Sequence, residues 1–354
     1  MLMLLLHQGR GGRAAASLCS RVEGAWCLHS FLLLINSSKT SMDFPITSCT
    51  TNWLLLFLKS RQQSTLTHYE VLQNSGNAEA TRTKRKGETC VTVTMPRAPH
   101  CPDHPLFSHC QILSRCDISA IQEVRDSRGA AIQTLLRELN RYDPSHHYSR
   151  LESKRLGRGS YKEQNVFVYR MDVVSVTDWC QFGDEDARDY KAFARGPFAA
   201  RFHSPYTAIL DFVLLLHHTS PREAAHELDL LFGVCTELMQ QWKTENVMLL
   251  GDLNAAGAYI PASAWAGIRL RNHLAFHWLI GDGEDTTVSH RTCCAYDRII
   301  VHGEELLGAI VPRSAKPFNF TQALGLSEEE ALAISDHYPV EVNLRLAPKA
   351  QREL

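Results

Sequence analysis

The sequence predicts an α/β or α+β sandwich forming one domain, and three observations carry that prediction. Short apolar, strand-like runs alternate with amphipathic helical stretches from about Gln111 to Leu346. Apolar residues make up 44% of the chain and charged residues 21%, as in ordinary globular domains, which excludes collagen-like, coiled-coil and wholly disordered classes. The longest apolar runs, Met1–Leu6, Phe31–Ile35 and Trp53–Leu58, fall short of the roughly 18 residues a membrane span needs, so no membrane partner is expected.

The elements follow in order. Ile118–Glu123 reads as a short buried strand. Ser127 then caps an amphipathic helix to Tyr142, with Ile132, Leu135, Leu136 and Leu139 on one face. Asn165–Arg170, Phe198–His203 and Asp211–His217 read as strands. Ser220-Pro221, cap then proline, opens a second helix to Trp242. Val247–Leu250, Ile299–Val301 and Val340–Leu346 complete the strands.

Residues 1–110 fit this scheme poorly. Gly9-Arg-Gly-Gly-Arg13, polar Ser/Thr stretches and the basic cluster Arg82, Lys84, Arg85 and Lys86 interrupt every apolar run, so this segment reads as a poorly ordered or atypical extension. Residues 111–346 form the expected folded domain and 347–354 a short tail. The chain's 37 Lys+Arg and 38 Asp+Glu give a net charge of −1. Residues 1–110 hold 11 basic and 6 acidic side chains, the remainder 26 and 32. Overall charge thus gives no nucleic-acid signal, and any DNA contact must come from local arrangement. The 11 cysteines include no CxxC pair and no zinc-finger spacing, so no structural zinc site is expected.

Candidate chemistry collects where strands end. Glu123 closes one strand; His217 and His218 close another; Asp252 and Asn254 follow Val247–Leu250; Asp297 precedes a strand, and Asp336-His337 precedes the last. Strand ends converge on one edge of a sheet, so these groups can share a pocket. Oxygen ligands from Glu123, Asp252, Asn254 and Asp336 suit Mg²⁺, Mn²⁺ or Ca²⁺, and two histidines beside carboxylates suit general acid and base work. Singly, each is ordinary: a Gly-Asp-x-Asn is commonly a turn, and a histidine at a strand end is commonly structural.

Together, in order, they resemble the deoxyribonuclease I family, including its deoxyribonuclease-gamma-like members. The segments are Ile121-Gln-Glu-Val-Arg-Asp126, Leu156-Gly-Arg-Gly-Ser-Tyr-Lys-Glu163, Leu249-Leu-Gly-Asp-Leu-Asn254, Cys294-Ala-Tyr-Asp-Arg298 and Ile334-Ser-Asp-His-Tyr-Pro-Val-Glu-Val342. The resemblance implies a four-layer sandwich, two packed mixed β-sheets flanked by helices, and metal-dependent endonucleolytic cleavage of double-stranded DNA with low sequence specificity. It implies catalytic pairs Glu163–His218 and Asp297–His337, His218 rather than His217 being selected by its spacing to Pro221. It implies a metal and phosphate shell of Glu123, Asp252, Asn254 and Asp336, served by Mg²⁺ or Mn²⁺. Minor-groove and phosphate contacts fall to Arg125, Tyr161 and Arg195, with Gly159 where deoxyribonuclease I has an asparagine. Asp285 and Thr287 match a structural Ca²⁺ loop, and Asp184, Glu185, Asp186 and Asp189 suggest a second. A monomer is expected. Secretion is implied, without a clear signal peptide at Met1–Leu6; Asn36 and Asn319 head glycosylation sequons, and a nuclear site of action stays open.

Two departures stand out. The family opens with an Ile-Ala-x-Phe-Asn strand and a helix before the Glu123 strand; nothing like them precedes Gln111, so the sheet is expected to lack its first strand. The family pairs the cysteine matching Cys294 with one at the position of Gly257, so that disulfide is expected to be absent. The competing functions are a phosphodiesterase of the wider family acting on phospholipid or inositol phosphate, and a catalytically silent DNA- or protein-binding relative.

Overall fold

The computed structural model describes residues 105–157, 160–183 and 193–347, together with backbone strands at 54–60, 80–85 and 88–93. In chain order the first strands are β1 (Leu54–Ser60), β2 (Ala80–Arg85), β3 (Glu88–Val93), β4 (Ile118–Val124), β5 (Tyr148–Glu152), β6 (Gln164–Arg170) and β7 (Ser175–Gln181). There follow β8 (Phe198–His203), β9 (Asp211–Leu216), β10 (Val247–Asp252), β11 (Phe276–Trp278), β12 (Asp297–His302), β13 (Lys316–Pro317) and β14 (Val340–Leu344). The helices are α1 (Pro105–Leu113), α2 (Ala130–Tyr142), α3 (Ala224–Trp242), α4 (Arg269–Asn272), α5 (Glu304–Ala309), α6 (Phe320–Leu324) and α7 (Glu328–Ile334).

Two mixed six-stranded sheets have the orders β13-β14-β1-β4-β6-β5 and β11-β12-β10-β9-β8-β7, and β2 and β3 form a separate hairpin. Three apolar cores separate four layers. Between the sheets, Phe167 meets Phe198 at 5.6 Å and Phe202 at 5.5 Å, within a cluster that joins Ala120, Val340 and Val342 to Leu214, Leu216, Met248 and Ile299. Outside the second sheet, α3 buries Leu228, Leu231, Val234 and Leu238 on Val213, Leu215, Val247 and Leu249. Outside the first, Ile112 and Leu113 of α1, Leu135 and Leu139 of α2, and Ile334 of α7 cover Ile121, Val166 and Val168. Central strands β4 and β10 are buried along their whole length, because helices cover one face and the opposite sheet the other.

Local expectations hold with corrections. Asp126, not Ser127, serves the start of α2: its carboxylate accepts from the Arg128 and Ala131 amides. The second helix starts at Ala224 rather than at Ser220-Pro221, because residues 221–223 form a turn. Helix α1 begins at Pro105, a residue suited to a first helical position, so the folded unit reaches back before Gln111. The expected gap in the first sheet is also corrected. β1 lies between β14, to which it is parallel, and β4, to which it is antiparallel, with Leu54 opposite Gln122. An interior slot left empty would expose unpaired backbone on both neighbours. The apolar run that is too short to cross a membrane fills it, but Leu54–Ser60 contains no asparagine.

Candidate active site

Five strand ends and one loop meet at a single edge of the sandwich. β10 and β12 are antiparallel, and their register sets Asp252 directly opposite Asp297. β9 is parallel to β10, and its ladder continues past the strand: the His217 amide donates to Leu250 O and the Thr219 amide to Asp252 O. That close approach requires glycine at 251, where a Cβ would lie 1.8 Å from the His217 carbonyl oxygen. On the other sheet the β4–β6 register shifts between Ile121 and Val124, and Glu123 takes a left-handed φ of 55°. Such a bulge re-aims a side chain; here the Glu123 carboxylate comes within 3.7 Å of His218 Nδ1. Asn254 has the same handedness, φ 47°.

The first pair is Glu163–His218. His218 Nδ1 and Glu163 Oε1 lie 2.9 Å apart, and both residues are buried. Arg195 approaches the same oxygen through Nε at 2.6 Å and donates to the His218 carbonyl at 3.3 Å. Burial alone would raise the Glu163 carboxyl, but His218 and Arg195 hold it down at about 2. Burial, then the Arg195 charge, lowers the His218 imidazole. Its Nε2 has no hydrogen-bond partner among the described residues and lies 3.8 Å from Asp252 Oδ2. Arg195 thus acts on the carboxylate of the pair.

In the second pair, His337 Nδ1 lies 2.7 Å from Asp297 Oδ2. Burial opposes charge on the ring, yet Asp297, Asp252 and Asp336 push His337 up to about 10. Thr286 accepts from the Asp297 amide, and the Thr286 and Asp336 carbonyls accept from the Tyr338 and Val288 amides, which fixes both strand ends.

The structure brings Glu123, Glu163 and His218 into one group, and Asp252, Asp297 and His337 into another; within each, one potential ligand atom per residue lies within 4.8 Å of the others. A cation fits here on the donor chemistry: Asp252 Oδ2, Asn254 Oδ1, Asp297 Oδ1 and Asp336 Oδ1 are buried oxygens without a hydrogen-bond partner among the described residues, a costly arrangement unless charge or a polar group meets them. Burial, with the charges of Glu163, Asp336 and Asp252, pushes Glu123 up to about 8.

At the rim, the Arg125 guanidinium lies over the Tyr161 ring, 4.5 Å from its centroid, and the Tyr161 hydroxyl donates to Glu123 Oε2 at 3.4 Å. Tyr161 is 39% exposed, enough to meet a ligand. In the Asp285 loop, Asp285 Oδ1 accepts from Thr287 N, Thr287 Oγ1 and Cys294 N. Gly159, Asn36, Met1–Leu6 and the acidic stretch Asp184, Glu185, Asp186 and Asp189 lie outside the described residues.

Sequence reasoning missed Gln122, whose Oε1 accepts from the Asp252 amide at 2.9 Å and so ties the two sheets together at the site. Its signal was its place in the Ile121–Asp126 segment, where sequence reasoning gave the glutamine no role. It also missed Thr286 and the buried Arg298, whose guanidinium donates to Ile280 O and Ala255 O and so fixes the chain just beyond Asn254.

Residues 110–337 match the family described as the Endonuclease/Exonuclease/phosphatase family, a span that contains every residue of both groups. The chain is similar to deoxyribonuclease gamma of Mus musculus, at 46% identity over 236 residues, covering 66% of this chain and 76% of the relative. It is 48% identical over 239 residues to deoxyribonuclease-1 of Canis lupus familiaris, covering 67% and 83%. It is 46% identical over 237 residues to deoxyribonuclease-1-like 1 of Cricetulus griseus, covering 67% and 76%. On this evidence the chain belongs to the Endonuclease/Exonuclease/phosphatase family, within the deoxyribonuclease I group.

Proposed function

We infer that this protein is a metal-dependent endonuclease that hydrolyses DNA phosphodiester bonds with low sequence specificity. The observation that carries the reading is the pairing of two carboxylate-backed imidazoles, Glu163–His218 and Asp297–His337, around buried oxygens with no hydrogen-bond partner among the described residues. Glu123, Asp252, Asn254 and Asp336 are the residues to hold Mg²⁺ or Mn²⁺. A bound divalent ion supplies positive charge for the phosphate's non-bridging oxygens.

The chain's own residues account for the proton transfers. One imidazole takes a proton from the attacking water as the new P–O bond forms. The other gives its proton to the leaving sugar oxygen as the old P–O bond breaks. Each proton transfer of this kind is worth about 10²–10⁴ in rate. Glu163 and Asp297 hold the two Nδ1 atoms, which directs each Nε2 to the substrate side. Arg125 and Tyr161 present a guanidinium–aromatic pair suited to a minor groove read by shape rather than base identity, and this favours double-stranded DNA over inositol phosphate or phospholipid. Arg195 is proposed to meet phosphate as well as Glu163.

Asp285 and Thr287 are the proposed Ca²⁺ loop; with Asp285 Oδ1 already serving three donors, other loop oxygens complete it. We assign residues 111–346 as the catalytic unit, together with α1, and read the protein as a monomer. No described helix is long and apolar enough to cross a membrane. Passage through the secretory pathway is supported by Asn319, exposed at the head of its sequon; a glycosidase-sensitive mass shift in the secreted protein tests it. For substrate class, supercoiled plasmid and inositol polyphosphate are offered side by side in Mg²⁺. Nicking without phosphate release is expected, and the reverse result would assign the site to the other substrate.

A further inference from the structure

We propose that Glu227 is a positioning residue for the Glu163–His218–Arg195 cluster, its buried carboxylate fixing the two chain segments that carry His218 and Arg195. The proposal rests on reading His218 as a group that meets the substrate.

Glu227 stands in the first turn of α3, on the helix side of the second sheet, and makes no hydrogen bond to Glu163, His218 or Arg195. Neither Glu227 nor His217 has exposed surface. Glu227 Oε1 accepts from the Ala194 amide at 3.0 Å. Oε2 accepts from the Ser220 amide at 3.1 Å and lies 3.0 Å from His217 Nε2. Ala194 immediately precedes Arg195. His217 precedes His218, and Ser220 follows it by two. One carboxylate therefore joins both strips of chain that deliver the guanidinium and imidazole to Glu163. The Phe193 ring, packed edge-on to His217 at 5.0 Å, closes the same junction.

Burying a carboxylate is costly unless its oxygens are met by donors. An apolar side chain in the space under α3 would leave the Ala194 and Ser220 amides and His217 Nε2 without an acceptor, so the carboxylate is there for the chain segments it holds rather than for packing. What the charge adds is direction. The sheet ladder holds His217 and Thr219 from the β10 side, through Leu250 O and Asp252 O. Ser220 and Ala194 lie beyond that ladder, and Glu227 holds them from the α3 side. Without it, the segments carrying Arg195 and His218 lose a shared anchor, and the guanidinium and imidazole can shift relative to Glu163 Oε1. Reactions of this kind are sensitive to displacements of about 1 Å, and removing a group that orients a reacting one commonly costs about 10–100-fold.

The full chain and its Glu227→Gln and Glu227→Asp variants are compared in two measurements. The first is the initial rate of supercoiled-plasmid nicking against plasmid concentration in Mg²⁺. The second is ¹⁵N-histidine side-chain NMR across pH. In Glu227→Gln an NH₂ faces the Ser220 N–H, and the expected result is a kcat lower by about 10–100-fold with KM unchanged. The His218 ring signals shift and those of His337 do not. Glu227→Asp, which keeps the charge on a shorter arm, falls between, and carries the test if Glu227→Gln does not fold. Wild-type kcat and wild-type His218 signals in a folded variant overturn the proposal, as does an equal shift of His218 and His337, which marks a merely structural role. If the wild type does not nick at all, the nuclease reading fails, and the His218 signals alone then decide whether Glu227 positions the ring.

Discussion

Glu163 serves two partners at once: Oε1 meets both His218 Nδ1 and Arg195 Nε. With its carboxyl held at about 2 it stays ionised across the working pH range. Glu163→Gln removes that charge with little change of shape, and plasmid-nicking kcat is expected to fall by about 10²–10⁴, the span of one proton-transfer role; unchanged kcat would remove Glu163 from the mechanism. Gly251 makes a different demand. With φ 144° and the His217 carbonyl 1.8 Å from where a Cβ would sit, Gly251→Ala must displace the β9–β10 ladder that carries both His218 and Asp252. Loss of about 3 kcal/mol or more in urea unfolding, together with loss of nicking, is expected. Most of the site's residue types were legible because they sit where strand-like runs begin or end; Glu163 came only with the family resemblance. Its geometry was less so: Glu123 reaches the cluster through a bulge, and Asp252 is braced by Gln122 across 130 positions of sequence. Neither a bulge nor a sheet-to-sheet hydrogen bond has a local signature.

Elements written in strong patterns were the legible ones. β10 is a plain apolar run, and α3 follows Ser220-Pro221 with a steady apolar face. β5 and β7 were missed because they are edge strands with mixed burial and no clean alternation. β1 was visible only as a short apolar run, since nothing local says which sheet slot a strand fills. The loop at Gly257 offers an element-scale test. A Cβ there would lie 3.3 Å from Cys294 Sγ, so Gly257→Cys under oxidising conditions is expected to bridge to Cys294. A bridge contributes about 2–4 kcal/mol, less about 1–2 kcal/mol for a non-glycine at φ +59°; a raised Tm that reductant reverses confirms it, and an unreacted Cys294 refutes it. At the end of α2, Asp143 accepts from the Tyr148 hydroxyl and from Arg170. Burial opposes charge on Asp143, but Ser145, Tyr148, His146 and Arg170 lower its carboxyl below the ordinary range. A carboxyl lowered by folding stabilises above its unfolded value, near pH 4, and that contribution fades as pH falls through the folded value. Wild type is therefore expected to exceed Asp143→Asn in urea midpoint at pH 7, with the gap narrowing as pH falls below about 4; a pH-independent gap would contradict this.

For the whole molecule, two sheets place their strand ends on one edge, and that edge holds both acid–base pairs together with the oxygens suited to a cation. The net charge of −1 gives no general attraction to DNA, so binding is proposed to rest on local groups such as Arg125 and Tyr161 and is expected to weaken with salt. The central claim is that the two pairs hydrolyse DNA only with a divalent ion present. The direct measurement is relaxation of supercoiled plasmid by the purified full chain in Mg²⁺ plus Ca²⁺, beside an EDTA control and a His218→Ala variant. Nicked circles that EDTA abolishes, and that His218→Ala forms at least about 10² more slowly, are the predicted result. A folded protein that never nicks, or nicking indifferent to EDTA or to His218, would contradict the claim.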